Sequence, residues 1–280
     1  MTDGESTLVL YNFSGAVHDA DVILRTTDDV ELQAHQLILR RVSPVLSACI
    51  DSAMCDSCSR PRIQLPAEAR IVDLLLTHLY PEYEPHGAEV FDDLLALIDL
   101  AYTYQIQAVV NRLRKELVKE EFLYQHPIRV FSAATAWGLD TEASQAAEAS
   151  GVLDLSTLSS EDLRGVSAVD YVRLVKLHKR RRAEISQALE FWLSRRCKTC
   201  QHSNSWAAQF RARALAEVQR RPSTKVIFGD DFMGRNAAAG ACSSCDLHFA
   251  FVEGWKELVE MCRPGKNQYC VSAFSPLTIF

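Results

Sequence analysis

Two cysteine pairs with metal-ligand spacing are the residues of this chain whose chemistry is easiest to anticipate. Two residues separate Cys197 from Cys200, and two separate Cys242 from Cys245. This spacing lets a tight turn direct both sulfurs at one point, and two such turns supply the four thiolates of a tetrahedral zinc site. The sequence therefore predicts a structural zinc bound by these four cysteines.

Alternatives to the four-cysteine site remain open. The 41 residues between the two pairs exceed the ~15–20 residues of compact zinc ribbons, so unligated buried cysteines and a redox or sensing pair are competing interpretations. A catalytic zinc is disfavoured, because four cysteines leave no coordination position for water. Four further side chains are available as substitute ligands: His202, His248, Cys262 and Cys270.

A dense cluster of positive charge surrounds the first cysteine pair. Residues 173–225 hold 14 Lys/Arg against 3 Asp/Glu, and four of these cations are consecutive. They are Lys179, Arg180, Arg181 and Arg182. Such a cluster is typical of a nuclear-import signal or a phosphate-binding face. We favour a solvated helix face that complements the acidic part of the chain, because no DNA-reading motif accompanies the charges.

Composition limits the classes of protein to which the chain can belong. Of its 280 residues, 48% are hydrophobic and 24% charged, which fits a globular protein. Residues 1–120 hold 19 Asp/Glu and 10 Lys/Arg, a net charge of −9, whereas residues 121–280 have a net charge of +3. This acidic balance argues against a surface built entirely to coat nucleic acid.

The cysteine count and the apolar runs predict the compartment. Nine cysteines cannot all pair in disulfides. The first residues lack the basic and apolar regions of a secretory signal, and no apolar run reaches the ~18–20 residues of a membrane span. We therefore expect an intracellular protein with reduced thiols, cytoplasmic or nuclear and not bound to a membrane.

Short strands and amphipathic helices are predicted to precede the basic cluster. Hydrophobic alternation predicts a hairpin of residues 21–25 and 30–34, with a further strand at 62–66. Helical spacing predicts two short helices after His35, the first with Leu37 on its apolar side, and then longer helices. The longer ones are placed at 71–79, 91–104 and 106–122.

More helices are predicted downstream. Ser167 and Asp170 form an imperfect capping box that opens a long helix, whose apolar side is assigned to Val169, Val172, Val175, Leu189, Trp192 and Leu193. Further helices are expected at 127–137, 141–150, 205–221 and 251–261, and a strand at 225–228.

The order of these elements resembles that of a known family. The residues that carry the resemblance run from Asp21 to Leu24, from Ala34 to Leu39, from Ser43 to Leu46, from Ile63 to Pro66 and from Leu74 to Tyr80. Over residues 12–125 the chain resembles the BTB/POZ domain. It looks most like the BTB proteins of basidiomycete fungi, in which a tail with cysteine pairs follows the domain.

This resemblance implies an α+β fold in which a small three-stranded sheet is capped by helices. Residues 126–196 are then a helical connector, and residues 197–280 a cysteine-pair module, in which the spacing of the cysteines predicts the zinc. The family implies homodimerisation, higher assembly or docking on cullin-type ubiquitin ligases, and no catalysis. Cullin-binding members carry a hydrophobic-x-Glu motif that residues 54–61 lack, which weakens the cullin interpretation.

Asp21 matches a buried aspartate near the dimer interface of the family. Some members pair it with a basic residue directly after the histidine that matches His35, but here that residue is Gln36. We therefore expect Asp21 to find neutral donors or to lie nearer solvent, and His35 to be satisfied by backbone groups at a helix start. The loop pair Cys55 and Cys58 cannot complete a zinc site alone.

The function predicted from the sequence is protein–protein interaction and oligomerisation, with a possible role as an adaptor for a cullin-type ligase. None of the common hydrolase, nucleotide-binding or metalloprotease motifs is present, so no enzymatic activity is expected. The alternative is a nuclear, nucleic-acid-associated transcriptional regulator that uses residues 173–225.

Overall fold

A three-stranded mixed sheet lies in the first of two structural units, Met1–Phe122 and Leu123–Phe280. The structure is a computed structural model that describes residues 19–54, 60–81, 83, 88, 90–193 and 205–237. The strands are β1 (Val22–Arg25), β2 (Glu31–Ala34) and β3 (Arg62–Gln64), in the order β2-β1-β3. β1 pairs antiparallel with β2 and parallel with β3.

The hairpin between β1 and β2 is closed by a polar turn. The backbone N–H of Thr26 donates to the carbonyl of Val30 at 3.0 Å, and Asp29 adopts a φ of 60°. Aspartate tolerates this left-handed conformation better than most residues, and the hairpin predicted from the sequence is confirmed.

Helices follow the sheet in the order expected from the spacing of apolar residues. α2 begins at Pro44, and the Ser43 hydroxyl before it accepts the backbone N–H of Leu46 at 2.9 Å. Pro at the first helical position and Ser at the N-cap are the usual start signals. The helices are α1 (Gln36–Val42), α2 (Pro44–Ala53), α3 (Ala69–Leu79), α4 (Phe91–Thr103), α5 (Gln107–Leu117) and α6 (Glu120–Gln125).

The single helix predicted over residues 106–122 is wrong, because α5 and α6 are separate. Val118 leaves helical geometry with φ −104° and ψ 13°, and the N–H of Lys119 bonds to the carbonyl of Glu116 in a tighter turn. The buried residues of α5 have the spacing of one helix face. They are Val109, Val110, Leu113 and Leu117.

The core of the first unit forms between the sheet and its helices. Leu24 of β1 is buried, as is Leu39 of α1. From the later helices, residues that are essentially inaccessible to solvent are Ile50, Leu76, Leu94, Leu97, Ile98 and Leu113. A mixed three-stranded sheet together with a mainly helical chain confirms the α+β class.

The regular secondary structure in the described residues of the second unit is helical. Its helices are α7 (Pro127–Ala136), α8 (Asp140–Ala149), α9 (Ala168–Leu193), α10 (Ser205–Arg220), α11 (Thr224–Ile227) and α12 (Asp230–Ala237). Short 3₁₀ turns cover Ser150–Val152 and Leu155–Thr157. The strand predicted at 225–228 is wrong: α11 occupies it. A strand needs a pairing partner, and the described residues of this unit contain none.

The start of α9 confirms the predicted capping residue. The hydroxyl of Ser167 accepts the N–H of Asp170 at 3.0 Å. The Asp170 carboxylate accepts the hydroxyls of Ser167 and Ser132 at 2.6 and 3.0 Å and pairs with Arg173 at 3.1 Å. The acid of the capping box is therefore held by side chains, and it also ties α9 to α7, which carries Ser132.

The apolar side of α9 differs from the prediction. Its buried residues follow steps of four and seven: Asp170, Leu174, His178, Ile185 and Leu189. Steps of this size keep a residue on one face of a helix. The predicted residues Val169, Val172 and Val175 lie off this face and are exposed. The predicted burial of Leu189 is confirmed.

The C-terminal half of α9 packs in a compact apolar cluster. Phe210 of α10 and Phe232 of α12 meet edge to face, with ring centroids 5.8 Å apart. The cluster comprises Ile185, Leu189, Phe210, Ala214, Val218, Ile227 and Phe232. Burial of Ile227 explains the helical turn of α11, which presents this side chain to the cluster.

Candidate interaction sites

Asp21 and Gln36 join the start of β1 to the start of α1. The backbone N–H of Gln36 donates to the Asp21 carboxylate at 2.6 Å, and the Gln36 side-chain amide donates to the Asp21 carbonyl at 2.9 Å. Asp21 is exposed in the single chain. Only the backbone N–H reaches the carboxylate, and this donor is neutral, so the exposed carboxylate needs no cation beside it.

His35 is held by a side chain rather than by backbone groups. Its backbone N–H donates to the hydroxyl of Tyr80 at 2.8 Å, and its Nδ1 lies 3.0 Å from the same oxygen. The hydroxyl accepts the N–H and is placed to donate its proton to Nδ1. The predicted backbone partner is therefore wrong. The contact with Tyr80 joins residues 45 positions apart, and the local sequence pattern does not report on contacts over such a distance.

Leu37 is the most exposed large apolar side chain among the described residues, at 78%. It follows Gln36 directly on α1, whereas Leu39 supplies the buried contact of that helix. The assignment of Leu37 to the apolar side of α1 is therefore wrong. An exposed leucine beside a satisfied Asp21 gives this edge of the first unit an apolar surface bordered by polar groups.

The comparison with protein families bears on this unit. The family model of the BTB/POZ domain matches residues 12–121. This part of the chain is a BTB/POZ domain. BTB/POZ domains are protein–protein interaction modules, so this kind of function belongs to the domain. No curated protein matches the chain.

The BTB/POZ domain also contains a polar groove of about 310 Å³. Thr27, Glu68 and Asp99 line it together with Arg70. Arg70 donates to Glu68 at 2.9 Å and also pairs with Asp93. These ion pairs raise the pKa of Arg70, chiefly through the Glu68 hydrogen bond. The lining therefore carries two carboxylates, Glu68 and Asp99, against the single guanidinium of Arg70.

The four consecutive cations of α9 do not form one solvated face. Arg180 pairs with Glu184 at 2.9 Å. Arg181 donates to the carbonyl of Ala147 at 2.9 Å, at the C-terminus of α8. Arg182 is half-buried as well, and only Lys179 is fully on the surface. The expectation of a fully solvated face is therefore wrong for the three arginines, which are half-buried, and Arg181 bonds to the backbone of α8.

His178 is a buried residue that the sequence pattern did not single out. It is fully inaccessible to solvent, and its Nε2 lies 3.0 Å from the hydroxyl of Ser150. Burial, aided by the charges of Arg181 and Arg182, lowers the pKa of His178 to about 4. The imidazole is therefore neutral at physiological pH and acts as a packing and hydrogen-bonding group.

The predicted zinc ligands Cys197, Cys200, Cys242 and Cys245 lie outside the described residues. So do their possible substitutes and the loop pair, which are His202, His248, Cys262, Cys270, Cys55 and Cys58. Within the described ranges, no group of three or more His, Cys, Asp or Glu residues could bind a metal. Cys49, which does lie there, is a half-buried free thiol.

None of the described helices is both long enough and apolar enough to cross a bilayer.

Proposed function

We propose that this chain is a homodimeric, non-enzymatic adaptor whose BTB/POZ domain self-associates through the surface around Leu37. The observation that carries this proposal is the exposure of Leu37 beside Asp21 and Gln36. Burial of a leucine side chain contributes about 2 kcal/mol, so a copy that covers Leu37 gains free energy at this edge.

The environment of Asp21 is compatible with burial in such a dimer. A buried carboxylate is costly unless its hydrogen bonds are satisfied. Asp21 already accepts a short hydrogen bond from the backbone of Gln36, so a second copy that covers it would have to supply further hydrogen-bond donors, which can be neutral. In a two-fold dimer, each Leu37 would pack against the same patch of the other copy.

A dimer formed through the BTB/POZ domain would carry two copies of the segment that follows this domain. A partner with two binding sites would then be bound with raised effective concentration. The partner class expected from the family is a cullin-type ubiquitin ligase. Residues 197–280 would supply a module that binds one structural zinc through the four paired cysteines.

The nucleic-acid alternative has fewer free cations than the sequence suggested. Arg180 and Arg181 bond to groups of the second unit, which leaves the exposed lysines of α9 for phosphate contacts. If this alternative holds, the protein binds duplex DNA at about 50 mM salt, and its affinity for DNA falls as the salt concentration rises.

The dimer is tested by multi-angle light scattering of the full chain at micromolar concentration. We expect twice the chain mass for the wild type and the mass of one chain for Leu37→Asp, because a buried charge at the interface is strongly unfavourable. Val90→Asp is the matched control, since Val90 is an exposed apolar residue of the same domain at 55%. A monomeric wild type would contradict the proposed dimer.

The adaptor role needs a separate measurement. Co-purification of a cullin with the wild-type chain from its native cell, and its loss in a chain that lacks residues 12–121, would support the role. Dimers that carry no cullin would leave self-association intact and remove the ligase part of the proposal.

A further inference from the structure

Three valines form an exposed apolar stripe on α9, in the second unit. Val169, Val172 and Val175 are 62%, 49% and 41% exposed. They recur at every third residue and so occupy neighbouring positions on one side of the helix. Exposed β-branched residues disfavour the helical conformation slightly.

Two lysines continue the stripe along the same side of α9. Lys176 and Lys179 are exposed, and within the described part of the chain neither has an ion pair. This distinguishes them from the neighbouring Arg173, which pairs with Asp170 at 3.1 Å. On the outward face of α9, the valines near the N-terminus of the helix provide aliphatic contacts. The two lysines that follow them provide positive charge.

The dimensions of this face fit a single helix. From Val169 to Lys179 the stripe extends ~15 Å, since a helix rises ~1.5 Å per residue. Three partly exposed valines provide far less than the ~800 Å² that each partner contributes to a stable interface between folded proteins. A single amphipathic helix presents an apolar stripe of comparable width, with its apolar residues at spacings of three and four.

We propose that the outward face of α9, formed by Val169, Val172, Val175, Lys176 and Lys179, binds an acidic amphipathic helix of a partner protein. Aliphatic side chains of the partner contact the valines, and its carboxylates pair with the two lysines. This surface belongs to the second unit, so it is independent of the self-association proposed for the BTB/POZ domain.

Synthetic helical peptides of about 20 residues are suitable probes. The first carries leucines at alternating spacings of three and four with glutamates on both sides of them. In the second, every glutamate is replaced by lysine, and in the third every leucine is replaced by glutamine. Binding of each peptide to the full chain is measured by fluorescence anisotropy.

Two sets of substitutions locate the binding face. Val169→Thr, Val172→Thr and Val175→Thr together keep the shape and branching of each side chain but replace one methyl group by a hydroxyl. Lys176→Glu with Lys179→Glu reverses the charge. The matched controls are Val90→Thr and Lys115→Glu, which change an exposed valine and an exposed lysine of the BTB/POZ domain. Circular dichroism checks that all variants remain helical.

The expected result is saturable binding of the glutamate peptide alone. Each set of α9 substitutions should weaken it about tenfold, which is ~1.4 kcal/mol, and the controls should leave it unchanged. Raising salt from about 50 to about 500 mM should weaken wild-type binding by screening the lysines.

Three outcomes would overturn the proposal. Equal binding of the lysine peptide would show that the charge of the peptide does not determine binding. Unaltered binding to the chain with the three valine-to-threonine substitutions would show that the peptide binds elsewhere. If the threonine substitutions instead lower the self-association of the chain in light scattering, the stripe contacts a second copy.

Discussion

Asp28, in the turn between β1 and β2, accepts the backbone N–H of Ala69 at 2.9 Å and so caps α3 from 41 residues away. The hydroxyl of Thr26 donates to the same carboxylate oxygen at 2.5 Å. Partial burial raises the pKa of Asp28, but these two hydrogen bonds together outweigh it, and the pKa lies below its usual value. The hairpin turn and α3 are thus joined by one carboxylate.

Loss of this cap should destabilise the BTB/POZ domain. Asp28→Ala leaves the N–H of Ala69 unpaired, and we expect a loss of about 1 kcal/mol in the free energy of unfolding. Because the folded pKa is lowered, the contribution is present at neutral pH and disappears as the pH falls through that pKa. Urea unfolding followed by circular dichroism measures it.

Asp29→Asn is the control for Asp28→Ala. It removes a charge from the same turn and an exposed ion pair with Arg25, while asparagine retains the preference for positive φ. Exposed ion pairs contribute little, so we expect almost no change. Equal destabilisation by both substitutions would contradict the cap.

Arg181 should matter more for stability than its neighbour Lys179. Arg181→Met removes a charged donor from the carbonyls at the end of α8, at 2.9 Å from Ala147 and 3.4 Å from Glu148. We expect a loss of about 2 kcal/mol, typical of hydrogen bonds to charged groups. Lys179→Met removes an exposed charge and should change the midpoint of urea unfolding very little. The reverse order would show that Arg181 does not hold α8.

The stability of the second unit should depend on pH through His178. The imidazole has a pKa near 6.5 in the unfolded chain and about 4 in the folded chain. Between these values the unfolded state binds more protons, so the free energy of unfolding falls as the pH drops from 6.5 to 4. The slope is at most about 1.4 kcal/mol per pH unit.

Comparison with His178→Gln isolates this contribution. The glutamine can still hydrogen-bond to Ser150 but does not titrate, so its unfolding free energy should depend less on pH over this range. His78, whose pKa burial also lowers, is present in both proteins and cancels. Parallel curves for wild type and variant would show that His178 titrates normally.

Zinc content tests the four-cysteine site directly. Protein purified without chelator should contain about one zinc per chain, and Cys242→Ser should reduce both the zinc content and the thermal midpoint, because metal binding and folding of such a module are coupled. Elemental analysis and differential scanning calorimetry measure the two quantities. The matched control is Cys49→Ser, a half-buried free thiol of the BTB/POZ domain. Full zinc content in the Cys242 variant would exclude the ligand set.

Local pattern was sufficient for most of the BTB/POZ domain. The polar turn with Asp29, the start of α2 at Pro44 and the buried face of α5 all depend on residues within a few positions of each other. Side-chain spacing and backbone preferences act over this range, so the order of strands and helices could be read from the chain. The resemblance to the family used that same order.

The spacing of apolar residues did not predict which side of a helix is buried. Val169, Val172 and Val175 have helical spacing, yet α9 buries Leu174 and His178 instead. Spacing reports that a helix has an apolar side, but only the neighbouring helices decide which side is covered. The same holds for Leu37, which the sequence placed on the apolar side of α1 and the fold exposes.

By itself, the amino-acid sequence determined the domain type, the acidic and basic halves and the cysteine pairs, because these depend on residue identity and short spacing. The tertiary structure decided which polar groups meet: Asp28 with Ala69, His35 with Tyr80, and Arg181 with Ala147. Each of these contacts joins residues more than 30 positions apart. Such pairs form only after the apolar cores have brought distant segments together, so the basic cluster was visible in the sequence but the use of its arginines was not.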